Sequence, residues 1–205
     1  MVRQTKENAE LTRQRIIDAA REVFLARGVS RTSMEQIATQ AGVTRGAIYW
    51  HFSNKTELFT AMREQVLLPL IDKMDDNLLI ENSDDPLGQI GNFLYGTIEA
   101  LNECAHTRQT YEIMMVKCEY VEELATVLEQ ILCNCERISQ KIEQLYERAK
   151  SKGQLKSTDS PAILAMDTHL FFSGLMHLWV KDLDNKHYRN QAASLISNHI
   201  NLRRK

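Results

Sequence analysis

Eight consecutive residues, Thr44-Arg45-Gly46-Ala47-Ile48-Tyr49-Trp50-His51, concentrate the chemistry of this chain. Arg45 can donate a bidentate pair of hydrogen bonds to O6 and N7 of guanine, and the small Gly46 and Ala47 let a helix backbone approach base edges. Thr44 can reach a base or a phosphate. Tyr49 and His51 can donate to phosphate oxygens, and Lys55 adds a point charge beside a helix start; Thr32 and Ser33 can do likewise from the preceding helix. Singly, each has an ordinary structural reading: Tyr49 and Trp50 as packing, His51 as a satisfied core histidine, Arg45 as a solvated charge. Together on one short helix they favour contact with double-stranded DNA.

The elements around that segment are those needed to present it. Thr12 to Arg27 places Ile16, Ala20, Val23 and Phe24 on one stripe, with Arg13, Arg15, Asp18, Arg21 and Glu22 mostly elsewhere and Gly28 as the stop. Thr32-Ser33-Met34-Glu35 reads as a capping box in which Thr32 and Glu35 exchange hydrogen bonds, opening a helix to about Ala41. Gly42 can turn the chain left-handed and Thr44 can cap the next helix. Asn54 then caps a fourth, carrying Leu58, Phe59, Met62, Val66 and Leu70. A helix-turn-helix needs a small residue at the crossing and a left-handed residue in the turn; Ala38 and Gly42 supply them, with Ile37 and Ile48 filling the angle.

Further helical stripes run over 87–104, about 108–119, 122–152, from Ser160-Pro161 to Val180, and about 188–202; no segment has the period of two of a half-buried strand. The expected fold is all-α: an N-terminal helix-turn-helix, three-helix DNA-binding domain over 1–54, and a larger C-terminal helical ligand-binding and dimerisation domain over 55–205, the helix from 55 joining the two. Charge divides the same way. The first 65 residues hold 10 Lys/Arg against 7 Asp/Glu, the remainder 15 against 20, so the basic part suits a polyanion and the acidic part another task.

In the C-terminal part, Val66, Leu70, Phe93, Tyr111, Met114, Met115, Phe172 and Met176 are of the types that line a pocket for apolar ligands, although stripes of Met and aromatics also make plain core. Thr168 and His169, polar within an apolar helix, are candidates to orient such a ligand. Leu170, Ser173, Gly174, Ala192, Leu195, Ile196 and Ile200 lie on two helices that can pair with a second copy into a four-helix interface. Arg203, Arg204 and Lys205 read as a solvated tail. Cys133 and Cys135, two apart on a helix, point to different faces, so the cysteines read as apolar fillers and no metal or cofactor is expected. The longest uncharged run, Thr168 to Val180, is short for a membrane span, and the start is polar; the expectation is a cytoplasmic protein without membrane contact. Enzymatic motifs such as a phosphate-cradling glycine loop or His-Glu-x-x-His do not occur.

The run from Gly42 to Phe52, followed by Asn54-Lys55, resembles the DNA-binding domain of the TetR family of repressors. Lys6, Thr12-Arg13, Gly28-Val29, Arg31-Thr32-Ser33, Asp85-Pro86-Leu87 and Lys117-Cys118-Glu119-Tyr120 are similar to its AcrR-like multidrug-efflux branch. The resemblance implies a homodimer on a palindromic operator, repressing an efflux-pump gene until a hydrophobic or amphipathic small molecule occupies the C-terminal domain. It implies DNA contact by Thr44, Arg45, Tyr49, His51 and Lys55. The alternative is a DNA-binding regulator without a small-molecule ligand, governed by a partner or by oxidation of Cys118 or Cys133.

Overall fold

The computed structural model describes residues 6–78, 83–156 and 158–205. In chain order they form α1 (Lys6–Arg27), α2 (Met34–Gln40), α3 (Arg45–His51), α4 (Lys55–Leu78), α5 (Pro86–Glu103), α6 (Ala105–Glu112), α7 (Ala125–Ser151), α8 (Pro161–Lys181) and α9 (Ala192–Asn201). A π-helical turn, Ile113–Lys117, follows α6, and a 3-10 turn, Glu122–Leu124, precedes α7. Among the described residues there is no strand, only an isolated bridge between Leu155 and Arg204. The protein is all-α, with an N-terminal helix-turn-helix and a C-terminal helical part.

The chain divides into two compact units. Among the described residues the first comprises 6–68 and 109–128 and the second 69–78, 83–108, 129–156 and 158–205, with the breaks inside α4, α6 and α7. In the first unit Ile16, Ile17, Phe24, Ile37, Ile48, Phe52, Leu58 and Phe59 are all buried, and Phe24 packs edge-on to Phe59 with ring centroids 6.0 Å apart. Segment 109–128 belongs to this unit because it is hydrogen-bonded into it. Arg21, expected from its charge among the polar residues of α1, is only 2% exposed; its guanidinium pairs with Asp18 at 2.7 Å and donates to the Thr110 hydroxyl at 3.3 Å. The Val29 N–H donates to the Lys117 carbonyl, and the Thr56 hydroxyl to the Glu123 carbonyl. The π-helical turn is stapled by the Tyr120 hydroxyl, which donates to the Met114 carbonyl at 3.0 Å.

The second unit packs α9 on α5, where Ile200 reaches Gly91, and joins α7, α8 and α9 through a buried polar triad. Tyr146 and Thr168 share a hydrogen bond of 2.7 Å, and His199 Nε2 lies 3.0 Å from the Thr168 hydroxyl while its ring stacks on Phe171 at 4.0 Å. The last helix starts at Ala192 rather than near Tyr188, because Asp182 gathers the backbone N–H groups of Lys186, His187, Tyr188 and Arg189 into a closed loop. Residues 203–205 are not a loose tail. Arg203 is buried and pairs with Asp167; Arg204 donates twice to Asp85 at 2.8 and 2.9 Å; the Lys205 N–H donates to Gln154. Asp85 also caps α5, accepting from the Gly88 N–H.

By length and composition alone α8, 21 residues long with a mean hydropathy of 1.2 over an 18-residue window, would suffice to cross a bilayer, which the shorter uncharged run did not suggest. One face of it belongs to the protein core, with Leu164, Ala165, Thr168, Leu175, Met176 and Trp179 all buried.

Candidate nucleic-acid interface

The helix-turn-helix is built from local rules. Ser33 caps α2, accepting from the Gln36 N–H while the Gln36 side chain accepts from the Ser33 N–H, a reciprocal box one residue later than expected. Thr32 does not fill that capping role: it is 4% exposed and its hydroxyl donates to the Gly28 carbonyl after α1. Gly42 adopts φ +62°, the left-handed conformation of the turn. Ile37, Ala38 and Ile48 are buried at the crossing, and Thr44 caps α3 by accepting from the Ala47 N–H at 3.2 Å.

Burying Ile48 turns the rest of α3 outward: Thr44, Arg45, Gly46, Tyr49 and Trp50 are exposed, Ala47 half-buried. Trp50, which alone read as packing, is 69% exposed and meets His51 edge-on at 4.5 Å. Arg45 projects with its Nε 3.3 Å from a Glu35 carboxylate oxygen and its guanidinium 5.7 Å from the Tyr49 ring centre. His51 is half-buried, and burial, then nearby Arg13, lowers its pKa against the pull of Glu10. Lys55 is not a free surface charge: it is largely buried and its ammonium pairs with Glu123 at 3.2 Å. A polar cleft of about 590 Å³ in the same unit is lined by Arg13, Glu57, Glu64 and Glu123 among others, a carboxylate-rich wall that suits neither phosphate nor an apolar ligand.

The expected pocket residues divide between the units. Val66, Tyr111, Met114 and Met115 lie in the first; Phe93, Thr168, His169, Phe172 and Met176 lie in the second, where the Phe93 and Phe172 rings are 6.4 Å apart. The side chain of Leu70 lies outside the described residues. Thr168 is fully buried, its hydroxyl shared by Tyr146 and His199. His169 is half-buried, which lowers its pKa, and contacts Ser173 at 3.4 Å. Of the expected interface residues, Leu170, Ser173, Gly174 and Leu195 are exposed, whereas Ala192, Ile196 and Ile200 are buried within the protomer, on the packed side of α9.

A short exposed helix, carried on a crossing helix and mixing small residues with hydrogen-bonding aromatics and an arginine, defines a helix-turn-helix regulator. Residues 16–62 match the family model for bacterial regulatory proteins of the tetR family, and residues 85–204 match that for the C-terminal region of MAATS-type transcriptional repressors. The chain belongs to the TetR family, and it is a transcriptional repressor, not an enzyme. Its relatives include the HTH-type transcriptional regulator TtgR of Pseudomonas putida, 36% identical over 184 residues covering 88% of this chain and 85% of that protein. The crystal structure of NalD, the secondary repressor of the MexAB-OprM multidrug efflux pump in Pseudomonas aeruginosa, is 35% identical, covers 98% of this chain and 99% of its own, and superposes with a TM-score of 0.85. The triclosan complex of SmeT is 28% identical over 95% of this chain and 92% of its own, with a TM-score of 0.81.

Proposed function

We propose that this protein is a ligand-responsive repressor that binds a palindromic operator as a homodimer and controls a multidrug efflux pump. The observation that carries the DNA-binding role is α3, whose buried Ile48 leaves Thr44, Arg45, Gly46 and Tyr49 exposed together. Dimerisation is supported by α8, where Ile163, Met166 and Leu170 are about 60% exposed, followed along the helix by exposed Ser173 and Gly174. A row of large apolar side chains in water is a surface that asks to be covered. Two copies related by a two-fold axis can then set their α3 helices in successive major grooves, about 34 Å apart.

Efflux control is carried over from NalD, and a hydrophobic ligand from the triclosan-bound SmeT. Such a ligand acts only through its differential affinity for the DNA-competent and incompetent spacings, which sets an expected loss of about 5- to 150-fold in operator affinity. Control by oxidation at Cys118 is the weaker alternative, because burial pushes its thiol up to about 11 and leaves little reactive thiolate at neutral pH. Working on an operator places the protein in the cytoplasm.

Protection mapping on the DNA upstream of its own gene, with and without triclosan as the probe ligand, tests the reading. A symmetric footprint that fades with triclosan supports it; no footprint on any upstream segment overturns it. Within the footprint, Arg45→Ala costs about 1–3 kcal/mol and relaxes base preference. Equal losses on operator and random DNA would remove Arg45 from base reading.

A further inference from the structure

We infer that Glu35 is the residue that positions Arg45 for base reading and thereby sets how strongly this repressor discriminates among sequences; the inference rests on reading α3 as the base-reading helix. An arginine at the first position of an exposed helix has many rotamers, and fixing one costs entropy when DNA binds. Here the side chain, 75% exposed, already has an ion-pair partner before any DNA arrives. Its Nε meets the Glu35 carboxylate at 3.3 Å, and its guanidinium lies against Tyr49 one turn further along α3.

The choice of nitrogen matters. A guanidinium has donors on Nε, Nη1 and Nη2; engaging Nε leaves the two terminal nitrogens to form the fork that reads O6 and N7 of guanine. Glu35 is itself well placed to act as a brace. It sits in the first turn of α2, where the helix dipole favours a carboxylate, on a helix anchored by buried Met34, Ile37 and Ala38. A negative charge beside a base-reading arginine weakens attraction to a polyanion, the reverse of what affinity alone asks of this face. Its gain is in orientation, which favours the right sequence over the wrong one.

The test uses the wild-type chain, Glu35→Ala, Arg45→Ala and the double variant, each measured on the duplex that the wild-type chain recovers from a random-sequence library and on a scrambled duplex of equal length. Both side chains are exposed, so helical content and melting temperature serve as the folding control. Glu35→Ala lowers the ratio of recovered to scrambled affinity by about three- to tenfold, the range for freeing one rotamer-rich side chain, while affinity for scrambled DNA stays equal or rises. The double variant loses no more of the ratio than Arg45→Ala alone. A wild-type ratio in Glu35→Ala, or losses that multiply in the double variant, would overturn the positioning role. A ratio untouched by Arg45→Ala would overturn base reading by Arg45 and the role of Glu35 with it, and recovery of no duplex would overturn the DNA-binding reading itself.

Discussion

At the scale of single residues, the buried imidazole of His199 makes the fold sensitive to acid. Burial, then the nearby Arg203 charge, holds its pKa at about 4, with Asp167 opposing, against an ordinary value of 6.5. In the unfolded chain the ring takes a proton as pH falls below 6.5; in the folded chain it resists until about 4. Its contribution to stability is therefore complete above 6.5 and is lost as pH falls from there towards 4, by at most about 3 kcal/mol at one unit per 1.36 kcal/mol. Urea titrations of wild type and His199→Gln at pH 7, 5.5 and 4.5 check this: the variant is weaker at pH 7 but has the flatter dependence, and parallel curves would refute it. Residues such as Thr44, Gly42 and Ile48 were legible from sequence because each obeys a local rule of capping, turn or stripe. The partners of Thr32, Lys55 and Thr168 were not, because each is distant in sequence or lies in an unexpected direction: the Gly28 carbonyl, the Glu123 carboxylate, the Tyr146 and His199 side chains. Arg21 is an intermediate case. It lies four residues after Ile17 and three before Phe24, on the buried stripe, so periodicity itself carried the signal.

At the scale of elements, two glycines separate turn chemistry from helix chemistry. Gly28 ends α1 at φ +82°, where an added Cβ would lie 3.3 Å from the Lys117 carbonyl oxygen, itself the acceptor for Val29. Gly28→Ala costs roughly 1–2 kcal/mol from the left-handed backbone alone. Gly96, exposed within α5 with open space around it, behaves oppositely: Gly96→Ala gains about 0.5–1 kcal/mol. Thermal melts of both variants report the two signs, and a fall for each would refute the second. Tyr120→Phe removes the hydroxyl that stitches the π-helical turn and costs about 0.5–1.5 kcal/mol. Most helices were legible as stripes with caps. The π-helical turn was not, since its extra residue per turn leaves the apolar pattern of Ile113, Met114 and Met115 looking like ordinary helix.

At the scale of the whole molecule, the exposed row on α8 carries the proposed contact with a second copy. Leu170→Glu puts a charge into that row while touching no buried side. It yields a folded protein that sediments as a single copy and binds operator far more weakly; a variant that still sediments as two copies would show that the row is not the interface. The sequence pattern could name both terminal helices as interface candidates but could not say which face of α9 is spent inside the protomer, because apolar residues serve both purposes alike. Packing on α5 decides it, drawing in Ala192, Ile196 and Ile200.

With the Lys156 amide donating to Arg203, the Lys205 amide to Gln154, and Arg204 clamped on Asp85, residues 203–205 are fastened to the segments before α5 and after α7. In deuterated solvent these amides trade their protons on the slow schedule of α9 rather than within the seconds usual for an unbonded segment, so that whatever frees residues 203–205 must lift α9 with them.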